Sequence, residues 1–201
     1  MTTADRPHGP LPVLLVCLTV VTGLVDAFSY LRLGHVFVAN MTGNVVFLGF
    51  ALAGVGEISI LASFSRCWSS PLARRWAAGR AVHRGHLLSA GTAVQAAVVL
   101  VAAVIASTAG VDDSKIRLLS IGLLGLAMGG QNAVVRRLSV PDLTTTVLTL
   151  TVTGLVADTT PQSVLGRRVG SVLAMLAGAL IGGVLLRWVA LAAPLWLASV
   201  L

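Results

Sequence analysis

Charge is scarce in this chain. Only 10% of its 201 residues are Asp, Glu, Lys or Arg. A soluble domain carries about 25%, so a water-soluble globular protein is excluded. Disorder is excluded as well, because it needs low hydrophobicity and 56% of these residues are hydrophobic, with a mean hydropathy of +0.94. Strict alternation of apolar and polar residues is missing, which removes a β-barrel. Cysteine is nearly absent. Cys17 and Cys67 form no CxxC pair, so neither a disulfide framework nor a zinc site is expected. Also missing are Gly-x-Ser-x-Gly, a P-loop, GxGxxG opening a soluble domain, and HExxH. No catalytic residue, metal site or cofactor is assigned, and the chain is not read as an enzyme.

What remains is long apolar runs, and they point to an all-α, polytopic integral membrane helix bundle. A spanning helix needs roughly 20 apolar residues. Runs at 11–31, 37–56, 87–109, 117–135, 141–158 and 169–187 qualify, and 188–201 is a shorter run containing Pro194. About six to eight helices are therefore expected. Residues 1–10 form an N-terminal tail, and 11–201 form a single transmembrane domain. Residues 11–22 after Arg6 resemble a signal-peptide core. No clean small-x-small cleavage site follows and Asp26 comes soon after, so a retained helix is expected.

The net charge of +7 and pI near 11.3 invite a nucleic-acid reading. The positions argue against it: the basic residues fall mostly between apolar runs, as in cytoplasmic loops of membrane proteins. Arg32 with His35, the cluster Arg74 to Arg84, the pair Arg136–Arg137, and Arg187 are basic joints. Glu57 and Asp112–Asp113 are acidic ones. With 58–80 counted as a span, these alternate, which places the basic joints in the cytoplasm and the N-terminus outside. Arg167–Arg168 breaks the pattern, and the later orientation flips if 58–80 does not cross. The expected partners are the lipid bilayer and an unknown small solute or ion, with no nucleic acid. A bundle this thin leaves room for a homo-oligomer.

The two halves of the chain, about 11–110 and 116–201, echo one another. Asp26-Ala27 precedes a basic joint and then Asn40-Met41-Thr42-Gly43-Asn44. Asn132-Ala133 precedes Arg136-Arg137 and then Asp142-Leu143-Thr144-Thr145-Thr146. Such duplication is common in transporters. Three helices per half would make the repeats inverted, and four would make them parallel. The runs Val25-Asp26-Ala27-Phe28, Val36 to Asn44, Gly129-Gly130-Gln131-Asn132-Ala133 and Leu143 to Thr146 resemble the YoaK-type bacterial membrane protein family (domain of unknown function 1275) over roughly residues 20–190. The resemblance implies a multi-pass protein of the bacterial cytoplasmic (inner) membrane and carries no assigned reaction.

One stretch departs from that family. Where its members carry an apolar helix with Gly-Ala-x-x-Gly-Gly, Phe64 to Gly79 carries Arg66, Arg74 and Arg75. Each would cost roughly 2.5–3.5 kcal/mol near the centre of a span. One reading is a compensated local frameshift. GC-rich codons read in another frame would give an apolar helix with a Gly-Ala-Ala-Leu-Gly-Gly run like Gly178–Gly183. The other is an amphipathic segment that snorkels its arginines to the cytoplasmic face.

Polar residues inside apolar runs are the candidate site. Asp26 lies about 8 Å inside its run by helical rise and shares a face with Tyr30. A carboxylate there is by default a functional hypothesis, a cation or proton site. Its structural alternative is a helix-end acid paired with Arg32 or Arg136. Asn40, Thr42 and Asn44 offer a polar lining, or else interhelical contacts. Gln131 and Asn132 follow a glycine pair that suggests a kinked or broken helix. Thr145 begins a hydroxyl stripe with Thr149 and Thr153, read mainly as packing. Gly178, Gly182 and Gly183 read as close helix packing. The leading function is a small-solute or ion permease with a polar site between two repeats. The alternative is a non-transporting membrane scaffold or assembly protein.

Overall fold

The computed structural model describes residues 11–40, 46, 49–50, 52–54, 84–138 and 162–201. Five helices lie within them: α1 (Leu11–Arg32), α2 (Arg84–Thr108), α3 (Ser114–Leu138), α4 (Gln162–Trp188) and α5 (Ala193–Val200). The first four are each long and apolar enough to cross a membrane. They coincide with the expected runs at 11–31, 87–109, 117–135 and 169–187. The expected spans at 58–80 and 141–158 lie outside the described residues. The run 37–56 is corrected at its start, because residues 37–40 are not helical. Of the expected six to eight helices, the described residues hold these five, and residues 46, 49–50 and 52 of the run 37–56 are helical as well.

Local chemistry sets the helix ends. Pro12 sits in the first turn of α1, where its missing N–H is not needed. The helix closes with Gly34 at φ +91° and His35 at φ +58°. The His35 N–H donates to the Tyr30 carbonyl at 3.1 Å, a six-to-one closure that uses glycine in the left-handed region. Asp113 caps α3: its Oδ1 accepts the Lys115 N–H at 2.7 Å. Pro194 starts α5, a two-turn helix that folds back against the bundle. The shorter run 188–201 thus resolves into a short helix whose Pro194, Leu195 and Ala198 are buried.

Contacts at both ends fix the directions. Gly23 meets Met175 and Gly178, and Gly182 meets Leu24 and Ala27, so α1 and α4 run parallel. Gln131 reaches Leu18 and Thr22, while Gly34 lies by Arg117, so α3 runs antiparallel to α1. Gly91 meets Val134, so α2 is antiparallel to α3. In the windows long enough to span, α1 and α3 are each 61% buried, against 28% for α2 and 22% for α4. Hence α1 and α3 are central, and the outer faces of α2 and α4 carry exposed Val and Leu suited to lipid. The core gathers Val21, Leu24, Val25 and Phe28 of α1 against Ile121, Leu124 and Met128 of α3.

These directions divide the basic residues between two faces, and for α2 and α3 they match the flipped orientation left open above. Arg32 and Arg187 end helices that point one way, together with the Lys115–Arg117 turn. Arg84, Arg136, Arg137, Arg167 and Arg168 lie at the opposite ends. The pair Arg167–Arg168, which broke the alternation, therefore shares a face with Arg136–Arg137.

Candidate functional site

The backbone at the exit of α1 explains the site. Beyond Arg32 the chain turns through Gly34 and His35. Residues 36–40 then return alongside the helix they have just left. Val36, Val38 and Ala39 are buried, so their amides have left water. An unpaired amide in such surroundings costs several kcal/mol. Asp26 supplies the partners. Its Oδ1 accepts the Val38 N–H at 2.8 Å and the Ala39 N–H at 2.7 Å. Its Oδ2 accepts from Asn40 Nδ2 at 2.7 Å. The carboxylate itself is buried, its residue 4% exposed. Hydrogen bonds to a charged group contribute roughly 1.5–3 kcal/mol each, so this is a strong clamp on a short non-helical segment.

Asp26 and Asn40, both expected at the site, are thus brought together, but Asp26 is held by two backbone amides that were not expected. Residues 38–40 give the carboxylate three N–H donors. Tyr30 serves the turn. Its ring stacks on Phe37 at 4.9 Å between centroids, and meets His35 edge-on at 5.1 Å. Ser29 adds a hydroxyl that donates to the Asp26 carbonyl at 3.2 Å.

Gln131 sits one turn nearer the start of α1. Its Nε2 donates to Thr22 Oγ1 at 3.0 Å and to the Leu18 carbonyl at 3.3 Å. Thr22 in turn donates to the Leu18 carbonyl at 2.9 Å. Gln131 Oε1 is buried without a partner. The expected break at Gly129–Gly130 does not occur, since α3 continues to Leu138. Glycine is permissive of a break and does not compel one, and the buried flanking residues Met128 and Val134 hold the helix in the bundle. Asn132 is half-buried on the same helix. Thr42, Asn44 and Thr145 lie outside the described residues.

Thr22 was not singled out in the sequence, nor was Gln95. Gln95 lies within the apolar run of α2, 5% exposed, with its Oε1 unpartnered. A lone glutamine in a span is itself the signal that could have flagged it. Among the described residues, no group of three or more His, Cys, Asp or Glu is placed to hold a metal.

Four apolar helices of spanning length around a clamped, buried carboxylate define a multi-pass helical membrane protein. The chain belongs to the family described as "Protein of unknown function (DUF1275)", which matches residues 14–201. It is also similar to the UPF0700 transmembrane protein YoaK of Bacillus subtilis (strain 168), with 30% identity over 149 residues. That alignment covers 72% of this chain and 64% of the relative, so the chain spans just under two-thirds of the relative's length. No solved structure matches.

Proposed function

We propose that this protein is a permease for a small solute or ion in the bacterial cytoplasmic membrane and has no enzymatic activity. One observation carries the reading: a non-helical segment, residues 36–40, is held beside Asp26. Asp26 lies six residues before the end of α1, about 9 Å inward by helical rise. Irregular backbone at such depth is tolerated where it is buried in protein or lines a cavity, and discontinuous helices build the substrate sites of many transporters. Asn40 stands at the half-buried end of this segment, so its amide is the group placed to meet a solute. Asp26 then positions the segment and does not bind the solute itself. The two-repeat architecture belongs to the same proposal. The antiparallel course of α1 and α3 supports an inverted pair, with Asn132 as the counterpart of Asp26.

The scaffold reading keeps one observation in its favour: both Asp26 oxygens are already occupied. A thermal-shift screen of detergent-purified protein against small metabolites and ions separates the two. The permease reading expects a compound that stabilises the wild type, stabilises Asn40→Ala less, and crosses proteoliposome membranes only when the protein is present. A stabilisation of RT ln(1 + [L]/Kd) makes even a weak ligand visible at high concentration. A screen with no shift, and liposomes with no flux for any compound, would favour the scaffold.

A further inference from the structure

A second site lies at the other end of α1. Between α1, α2 and α5 is a cavity of about 400 Å³ lined by Leu14, Cys17, Val21, Thr92, Gln95 and Ser199, among others. That volume falls within the roughly 300–1,000 Å³ of small-molecule pockets. Among the described residues, no side chain on its wall carries a charge at neutral pH. Most of the wall is apolar. The polar exception set deepest is Gln95, whose amide is 5% exposed and whose Oε1 has no hydrogen-bond partner. Buried amides are ordinarily paired, whereas this Oε1 is enclosed and unpaired among the described residues, on a side chain that lines the cavity. Half a turn about its last bond exchanges the nitrogen and oxygen of a near-isosteric amide. The Gln95 amide can therefore offer the cavity a donor or an acceptor. Leu18, also on the cavity's border, holds Gln131 through its carbonyl, and the Gln131 Oε1 is unpartnered as well among the described residues. Two unsatisfied amides thus flank the same stretch of α1.

We infer that this cavity binds an uncharged amphiphile with a hydroxyl head, its hydroxyl on Gln95 and its apolar body against Leu14 and Val21. A hydroxyl head needs no counter-charge, and none of the described lining side chains supplies one. A pure hydrocarbon would leave the amide unsatisfied. A hydroxyl satisfies Gln95 in either rotamer, because it both donates and accepts. The inference stands apart from the permease reading, whose site is at Asn40.

The test uses photolabelling of the full chain in detergent with a diazirine-alkyne derivative of 1-decanol, competed by 1-decanol or by decane. Labelled peptides should come from the stretches around Cys17, Gln95 and Ser199. Decanol should compete roughly tenfold better than decane, the ratio expected from one hydrogen bond to a buried amide. Gln95→Leu should remove that preference, and Ala96→Trp should block labelling by filling the cavity. Equal competition by alcohol and alkane in the wild type would overturn the inference, as would undiminished labelling of a folded Ala96→Trp. Should Ala96→Trp not fold, alkylation of Cys17 by N-ethylmaleimide in the wild type decides, read by peptide mass spectrometry. Decanol should slow it severalfold more than decane does, and an equal effect of the two overturns the proposal.

Discussion

Helix α1 has two sides that solve the same problem differently. Towards α4 it offers Gly23, and α4 answers with Gly178 and Gly182. The backbones come so close that a Cβ built on Gly178 would meet the Val20 carbonyl, and one on Gly23 would lie 2.8 Å from the Ala179 nitrogen. Towards α3, α2 and α5 it offers Thr22 and borders a cavity, with polar atoms of Gln131 and Gln95 left unpaired. In lipid there is little hydrophobic drive between helices, so tight contact and hydrogen bonds hold a bundle together. The first side uses contact to exhaustion and leaves no room for anything else. The second leaves space and unsatisfied polarity. Packing therefore resides on the glycine side and any ligand chemistry on the other.

Substitutions can break or sharpen this contrast. Gly178→Val should have the largest effect, a loss of more than about 3 kcal/mol, because only backbone stands opposite and cannot yield as a side chain would. Thermal denaturation followed by size-exclusion chromatography in detergent reads it directly, and an unchanged midpoint would show that α1 and α4 are not in contact. Asp26→Ala should cost about 3 kcal/mol, since it orphans the amides of Val38 and Ala39. Asp26→Asn keeps one oxygen for those amides but turns an N–H2 towards Asn40, so its midpoint should fall between the wild type and Asp26→Ala. Gln131→Leu should change stability by less than about 1 kcal/mol, because losing its two bonds is offset by removing a stranded oxygen. A large loss there would mean that Oε1 is satisfied in the bilayer. Gly183→Ala should be the mildest, a gain of roughly 0.5 kcal/mol from helix propensity, because open space faces it. A loss as large as that of Gly178→Val would erase the distinction between the two glycines.

Much of this bundle was legible in the residues. Spanning length and apolarity mark α1 to α4 without any partner information, and the small residues at 178 and 182 announced close packing. Asp26 and Asn40 were each legible as polar residues in apolar surroundings, but not as a pair. The donors from Val38 and Ala39 are backbone amides, which every residue except proline carries, so no residue identity betrays them. The direction of each helix was also hidden. Charge alternation assumes that apolar runs cross in sequence order, and it placed Arg32 with Arg136 where the packing sets them at opposite ends. Gln95 and Thr22 escaped notice for a simpler reason. Neither belongs to a motif, and only the neighbouring helix reveals what each faces.

The glycine contact between α1 and α4 also has a consequence in time. Gly23 and Gly178 are 155 positions apart in the chain. At about 5–20 residues per second of synthesis, the ribosome needs roughly 8–30 s to deliver the second after the first. For that interval the grooved face of α1 is already made while its complement does not yet exist. The nascent helix must be occupied by lipid, by the insertion machinery or by α3 until α4 arrives. The tightest seam of the bundle therefore waits on a helix that is made late.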